Sequence, residues 1–295
     1  MEISLKDYIR TGEGANGASY DSIENPDMML KLYFKDYPQQ TVVEELEAAR
    51  KVYDLGIPSP EPGELVSCDG CLGIKFRKIK GKRSFSRAFA DEPERTEEYA
   101  REFARLCKRL HATPVPAGEF PEGSDQALDL LEKSKFLNEG QKERIRGFIR
   151  SVPAEGTALH GDMHFGNALT TLPKGAPLSD EHELYFIDLG YFARGCPLFD
   201  LGMMRNICLD SAEEFRVEAF HIDGRQTARI WDYFVDEYFF QEDALAEKYW
   251  GAGQTPQSVT DQILKFEAVK LMLVEYNLGF MPDHYRKLVM QAFDL

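Results

Sequence analysis

No apolar run in this 295-residue sequence approaches the roughly 18 residues needed to span a bilayer, so nothing in it reads as a membrane helix. Positive charge is also short. Thirty-five Lys and Arg stand against fifty Asp and Glu, a formal charge of −15, and such a chain has no general attraction for nucleic acid or an anionic membrane surface. Cysteine is scarce: five, an odd number, suit a reducing compartment and argue against a disulfide framework. Internal repeats and low-complexity segments are missing. The opening MEISLKDYIR has no apolar signal-peptide core, so a cytoplasmic location is expected.

What is present is the composition of an ordinary soluble globular protein, 43% hydrophobic and 29% charged, long enough for one large domain or two modest ones. The acidic surplus serves solubility first, and it would also welcome a cationic small substrate. CDGC sets Cys68 and Cys71 at C-x-x-C spacing without a second pair nearby. Asp69-Gly70 between two β-prone runs is a hairpin signal, which outweighs a metal or redox reading.

The hydrophobic period changes along the chain. Strand patterns around LKDYIR, GASYDSI and MMLKLYF, with ENPD as a turn, are followed by a helix in TVVEELEAARKVYDLG that opens at Thr41 and presents Val43, Leu46, Ala49 and Val52. IPSPEP breaks it, and GELVSC with CLGIKFRKI predicts a hairpin. Beyond about Gly81 the patterns are mostly helical: EYAREFARLCKRLH with Tyr99, Phe103, Leu106 and Leu110 on one face, then ARIWDYFVDEYFF and SVTDQILKFEAVKLMLVEYNLGF as long core helices. A small β-rich lobe, 1–80, thus precedes a large α-rich lobe, 81–295, with RKIKGK as the candidate hinge.

Four stretches carry chemistry. In GEGANG, Gly12, Gly14 and Gly17 fit G-x-G-x-x-G, a weak signal alone. A dinucleotide site needs a helix opening at the third glycine, whereas ASYDSI alternates like a strand, so the phosphate-covering loop of kinases is the better reading. Lys31, flanked by apolar residues in MMLKLYF, is placed to reach α and β phosphates if a carboxylate holds it; Glu45 is chosen from Glu44, Glu45 and Glu47 because it lies beside the apolar stripe. ALHGDMHFGNALTT suits neither a core strand nor a core helix, because Gly161 and Gly166 weaken both and Asp162 resists burial. Asp162 and Asn167 are spaced to offer a carboxylate to a substrate hydroxyl and an amide oxygen to a metal, while Asp188 in YFIDLG follows an apolar run and would bridge Mg²⁺ to phosphates.

LHGDMHFGN followed by FIDLGYFARGCPLFDLG resembles the aminoglycoside phosphotransferase and choline kinase-like family, which shares the protein-kinase fold. RLHATPVP and EELEAARKVYDLGIPSPEP extend the resemblance over nearly the whole chain except the C-terminal helices, and within the family it is closest to a bacterial paralogue group. The resemblance implies an α+β, two-lobed kinase-like fold, a nucleotide donor (ATP or GTP) and Mg²⁺. It makes Asp162 the catalytic aspartate, Asn167 and Asp188 the metal ligands, and Lys31 with Glu45 the phosphate-positioning pair. Asp200, in PLFDLG, becomes a structural acid bracing the catalytic loop, His160 a shaper of that loop, and His164 a packing or pocket-edge residue. Arg77 departs from the acidic residue relatives often carry, but adenine is held there by backbone groups around Lys78 to Lys80.

The expected reaction is phosphate transfer from ATP to a hydroxyl of a small molecule, an aminoglycoside-like compound or amino alcohol, cationic in one version. A protein kinase is disfavoured because only eleven residues separate Asp188 from Asp200, too few for a regulated activation segment. A nucleotide-binding regulatory protein with little turnover is the other alternative, against which the intact Lys31, Asp162, Asn167 and Asp188 speak. In IWDYFVDEYFF, Asp232, Asp236 and Glu237 with Trp231 or Tyr233 either line a cationic pocket or form a helix that is half core and half solvated.

Overall fold

The computed structural model describes residues 1–14, 16–241 and 244–295; Ala15 of the glycine-rich turn, Glu242 and Asp243 lie outside the described residues. In chain order the strands are β1 (Tyr8–Glu13), β2 (Gly17–Ser22), β3 (Met28–Tyr33), β4 (Pro62–Cys68), β5 (Cys71–Arg77), β6 (Arg83–Ser84), β7 (Thr157–Leu159), β8 (Ala168–Thr170), β9 (Leu184–Phe186) and β10 (Ala193–Gly195). The helices are α1 (Gln39–Asp54), α2 (Phe85–Asp91), α3 (Thr96–Ala112), α4 (Gly123–Lys133), α5 (Glu139–Ser151), α6 (Leu198–Arg205), α7 (Glu213–Phe220), α8 (Gly224–Val235), α9 (Leu245–Trp250), α10 (Pro256–Leu278) and α11 (Asp283–Phe293). Two compact units result: Met1–Arg83 with Ala168–Gly190, and Ser84–Asn167 with Tyr191–Leu295. A small antiparallel-sheet unit and a larger helical one make the chain the α+β protein the sequence predicts.

In the first unit the antiparallel order is β1-β2-β3-β5-β4. Alternation along β3 divides its side chains between two environments. Leu30 and Leu32 pack with Val66 and Cys68, whereas Tyr33 joins Val42 and Leu46 of α1 and Ile74 of β5. Full burial of Leu30 or Ile74 contributes about 2 kcal/mol each from apolar area. Asp69 and Gly70 connect β4 to β5 with φ of 49° and 81°, the two left-handed residues a tight hairpin turn needs, and both flanking cysteines are free thiols.

Two boundaries differ from expectation. LKDYIR is not one strand: Leu5–Asp7 form a 3-10 turn because the Ser4 hydroxyl accepts the Lys6 N–H, and the strand begins at Tyr8. Helix α1 starts at Gln39, after Pro38, and buries Val42, Leu46 and Val52, with Val43 and Ala49 only partly covered.

In the second unit α3 buries Tyr99, Phe103, Leu106 and Leu110, as its 3.6-residue period requires. Helix α8 continues into a π-helical stretch, Asp236–Phe240, and α10 opens with a capping box in which Thr255 and Ser258 exchange hydrogen bonds. Gly202 lets α6 pack closely on α10: a Cβ there would lie 2.5 Å from the Phe266 carbonyl carbon. Among the described residues no helix is long and apolar enough to cross a membrane.

The IWDYFVDEYFF segment is half core and half charged surface. Trp231 is 1% exposed and donates from Nε1 to Thr260 Oγ1 at 3.0 Å. Asp236 and Glu237 are taken by Arg101, at 2.7 and 3.3 Å, and Glu237 also by Arg105 at 3.0 Å. Tyr233 lies under the Arg101 guanidinium, 5.7 Å from ring centroid to Cζ. Two of the three carboxylates of the cationic-pocket reading, Asp236 and Glu237, already have cations, and its tryptophan is in the core, so the segment does not form that pocket as expected.

Candidate active site

Because Lys31 alternates with Leu30 and Leu32, it points to the α1 side of the sheet. Its Nζ lies 2.8 Å from Glu45 Oε1 and 2.8 Å from Asp188 Oδ1, an ammonium group shared by two carboxylates. Burial alone would lower its pKa, but the charges of Asp188 and Glu45 outweigh that and push it up to about 12. Glu44 and Glu47 are exposed, and Glu44 accepts a bond from Gln40 instead. Asp188 comes two residues after β9 with φ of 56°, a left-handed conformation that Asp adopts more readily than most side-chain-bearing residues. Its side chain is 52% exposed.

The three glycines of GEGANG have different physical reasons. Gly17 sits where β2 meets β3 so closely that a Cβ would fall 2.3 Å from the Leu32 carbonyl oxygen, so the sheet alone demands it. Gly14 donates its N–H to the Gly17 carbonyl at 2.8 Å, closing the turn between β1 and β2. At Gly12 a Cβ would meet nothing within 4 Å, and at Gly14 only the Gly17 oxygen at 3.9 Å. Lys78 Nζ pairs with Asp21 at 2.5 Å and its N–H donates to the Asp27 carbonyl at 2.7 Å, while Lys80 pairs with Asp27.

In the second unit the loop after β7 is pinned by alternate residues. Met163 and Phe165 are fully buried, and Phe165 meets Phe89 and Phe220 with ring centroids 5.8 and 4.7 Å apart. Alternating with them, Asp162 and His164 stay partly exposed, at 32% and 17%. Gly161 has φ of 84°, and a Cβ there would lie 2.0 Å from the Tyr191 carbonyl oxygen, so no other residue fits.

Asp200, fully buried on α6, accepts the N–H of His160 on Oδ2 at 2.6 Å and of Gly161 on Oδ1 at 2.8 Å. His111 of α3 adds a contact from Nε2 to Oδ2 at 3.1 Å, while its Nδ1 lies 2.7 Å from the Tyr238 hydroxyl. A carboxylate only accepts, so Nε2 carries the hydrogen. Burial would push the Asp200 carboxyl up, yet the His111 hydrogen bond, with His111, Lys270 and His160 nearby, holds it below its ordinary value.

Asp162 is fixed in turn. Its N–H donates to His160 Nδ1 at 3.3 Å, and Asn167 Nδ2 donates to its carbonyl at 3.0 Å and its carboxylate at 3.3 Å. The Asn167 amide nitrogen is thereby used, and Oδ1 is the atom left for a cation. His164 accepts the Gly166 N–H at 3.0 Å and packs against Phe220, 5.4 Å between centroids.

The structure thus brings Lys31, Glu45 and Asp188 into one cluster, and His160, Asp162, Asn167 and Asp200 into another. Sequence reasoning missed His111, Tyr238 and Lys270, whose Nζ donates to the Gly161 carbonyl at 2.6 Å. A signal existed for two of them: His111 follows Leu110 on the apolar side of α3, and Lys270 is a lone cation in AVKLMLV. A cavity of about 470 Å³ elsewhere in the second unit, between Phe148, Trp250 and Phe266, touches none of the loop residues.

A family model described as "Phosphotransferase enzyme family" matches residues 10–233. No curated protein gives a significant match. Among solved structures, a thermostable mutant of the aminoglycoside phosphotransferase APH(4)-Ia is 13% identical with a TM-score of 0.59, covering 97% of this chain and 94% of that one. The streptomycin-ATP-APH(2")-IIa ternary complex is 15% identical with a TM-score of 0.52, covering 96% and 90%. The macrolide 2'-phosphotransferase MphH from Brachybacterium faecium is 14% identical with a TM-score of 0.51, covering 98% and 92%. At such identities the likeness is one of fold.

Proposed function

Because the chain belongs to the phosphotransferase enzyme family, and is on that footing a small-molecule kinase, we propose that it moves the γ-phosphate of ATP, or of GTP, to a hydroxyl of a small acceptor. The observation that carries this reading is the loop around Asp162, a partly exposed carboxylate whose backbone and side chain are held by Asn167, His160 and, through its neighbours, Asp200. The ATP-bound neighbour supports a nucleotide as donor. Acceptors in the neighbours' names, aminoglycosides and a macrolide, support a hydroxylated small molecule, with an amino alcohol or other cationic compound as the narrower choice.

In this mechanism Lys31 neutralises the α and β phosphates, held in place by Glu45, while the open space beside Gly12 and Gly14 lets backbone approach the phosphates, and Gly17 maintains strand β2. Backbone groups around Lys78 to Lys80 would hold the base. Asp188 and Asn167 are the proposed magnesium ligands: both offer hard oxygens, the donor type Mg²⁺ selects. When bound, the ion neutralises charge on the β and γ phosphates. Asp162 orients the acceptor hydroxyl and takes its proton late, because the loose transition state asks mainly for positioning and charge stabilisation. We place the reaction in the cytoplasm, which the free thiols support.

The test is phosphate transfer from Mg-ATP and Mg-GTP to aminoglycosides, macrolides, choline, ethanolamine and neutral sugars. Phosphorylation of one class supports the reading. Tight Mg-ATP binding with no transfer to any of them, or to water, would favour the regulatory alternative.

A further inference from the structure

The proposed mechanism leaves unused a half-buried cation beside the Asp162 loop. Lys270 lies on α10, one turn beyond Phe266, where the missing side chain at Gly202 lets α6 and α10 meet backbone to backbone. From there Nζ donates to the Gly161 carbonyl at 2.6 Å. The Gly161 N–H is held by Asp200 at 2.8 Å, and the Asp162 N–H by His160 at 3.3 Å. The peptide bond that enters Asp162 is therefore gripped on its carbonyl side by Lys270 and on its amide side by His160.

We propose that Lys270 is a positioning residue for phosphate transfer, fixing the Gly161–Asp162 peptide while holding a positive charge beside the carboxylate that receives the acceptor's proton. The role rests on the reading of Asp162 as the catalytic aspartate. Charge is part of it, not just the hydrogen bond. The groups facing Lys270 are Asp162 on the loop and Asp200 on α6, with His111 and His160 behind Asp200. On α10 itself, Glu267 is occupied by Arg205 and Asn206. Burial lowers the Lys270 pKa, opposed by Asp200 and Asp162, so the ammonium gives up its proton at a lower pH than an ordinary lysine.

The experiment uses the full chain and Mg-ATP alone, with water as acceptor, and follows slow hydrolysis across pH in the wild type and in Lys270→Met, Lys270→Arg and Asp162→Asn. Lys270→Met should lower kcat roughly tenfold to a hundredfold and leave KM for Mg-ATP within about threefold. Lys270→Arg, permanently charged, should recover much of kcat and lose the alkaline decline shown by the wild type. If Lys270→Met fails to fold, the Lys270→Arg profile still decides. Wild-type kcat in Lys270→Met, or an alkaline decline unchanged in Lys270→Arg, would overturn the role of Lys270 alone. Hydrolysis undiminished in Asp162→Asn, or a wild type that transfers phosphate neither to water nor to any acceptor of the panel above, would overturn the parent reading and this role with it.

Discussion

Asn167 Nδ2 donates to both the carbonyl and the carboxylate of Asp162, at 3.0 and 3.3 Å. One amide thus fixes the backbone and the rotamer of the proposed base together. Its own side chain is only 7% exposed, so the geometry is set before any substrate arrives. Replacing Asn167 by Ala should lower kcat roughly a hundredfold through lost positioning, measured by steady-state phosphate transfer, and raise the Mg²⁺ concentration for half-activity. Unchanged values of both would remove Asn167 from the site.

Lys31 is stabilised as an ammonium group by Glu45 and Asp188. Glu45→Gln removes one holder and Lys31→Met the cation. Both should weaken Mg-ATP binding, Lys31→Met more severely, with kcat/KM falling roughly a hundredfold; titration calorimetry with Mg-ATP checks the binding part.

Asp200 is the buried acceptor of two backbone donors and His111. Asp200→Asn should cost about 3–5 kcal/mol of stability, because an amide supplies one acceptor oxygen and sets N–H groups against donors. The folded carboxyl titrates below the ordinary 3.8, so its stabilisation is fully present above that value and is lost as pH falls through the lower folded value. The difference in urea unfolding between wild type and variant should therefore be largest above pH 3.8 and narrow as pH falls below it.

Phe165 holds the loop from beneath, fully buried between Phe89 and Phe220. Phe165→Ala should destabilise by about 3–5 kcal/mol in urea titration. It should also lower kcat more than KM, since the segment it anchors carries Asp162.

Much of this was legible in the residues. The β3 alternation is visible in MMLKLYF, and it turns Lys31 toward the helix whose apolar stripe borders Glu45. HGDMHFGN announces a loop because its glycines oppose both regular structures, and Asp69-Gly70 reads as the hairpin it forms. What was hidden depends on long-range contact. His111 and Tyr238 meet Asp200 from distant helices, and local period does not say which buried polar group finds which partner. Lys270 reaches Gly161 across 109 positions of sequence, from a helix that packs closely on α6 at Gly202. The fate of Asp236 and Glu237 turned on Arg101 and Arg105, whose arrangement on α3 no local pattern in the acidic segment reveals.

The most direct measurement is turnover and nucleotide affinity of Asp162→Asn beside the wild type, with Mg-ATP and an acceptor the wild type phosphorylates. The account predicts turnover reduced by roughly a hundredfold or more and Mg-ATP affinity within about threefold of wild type, because the carboxylate acts on the acceptor's proton and not on the nucleotide. Near-normal turnover in Asp162→Asn would contradict it.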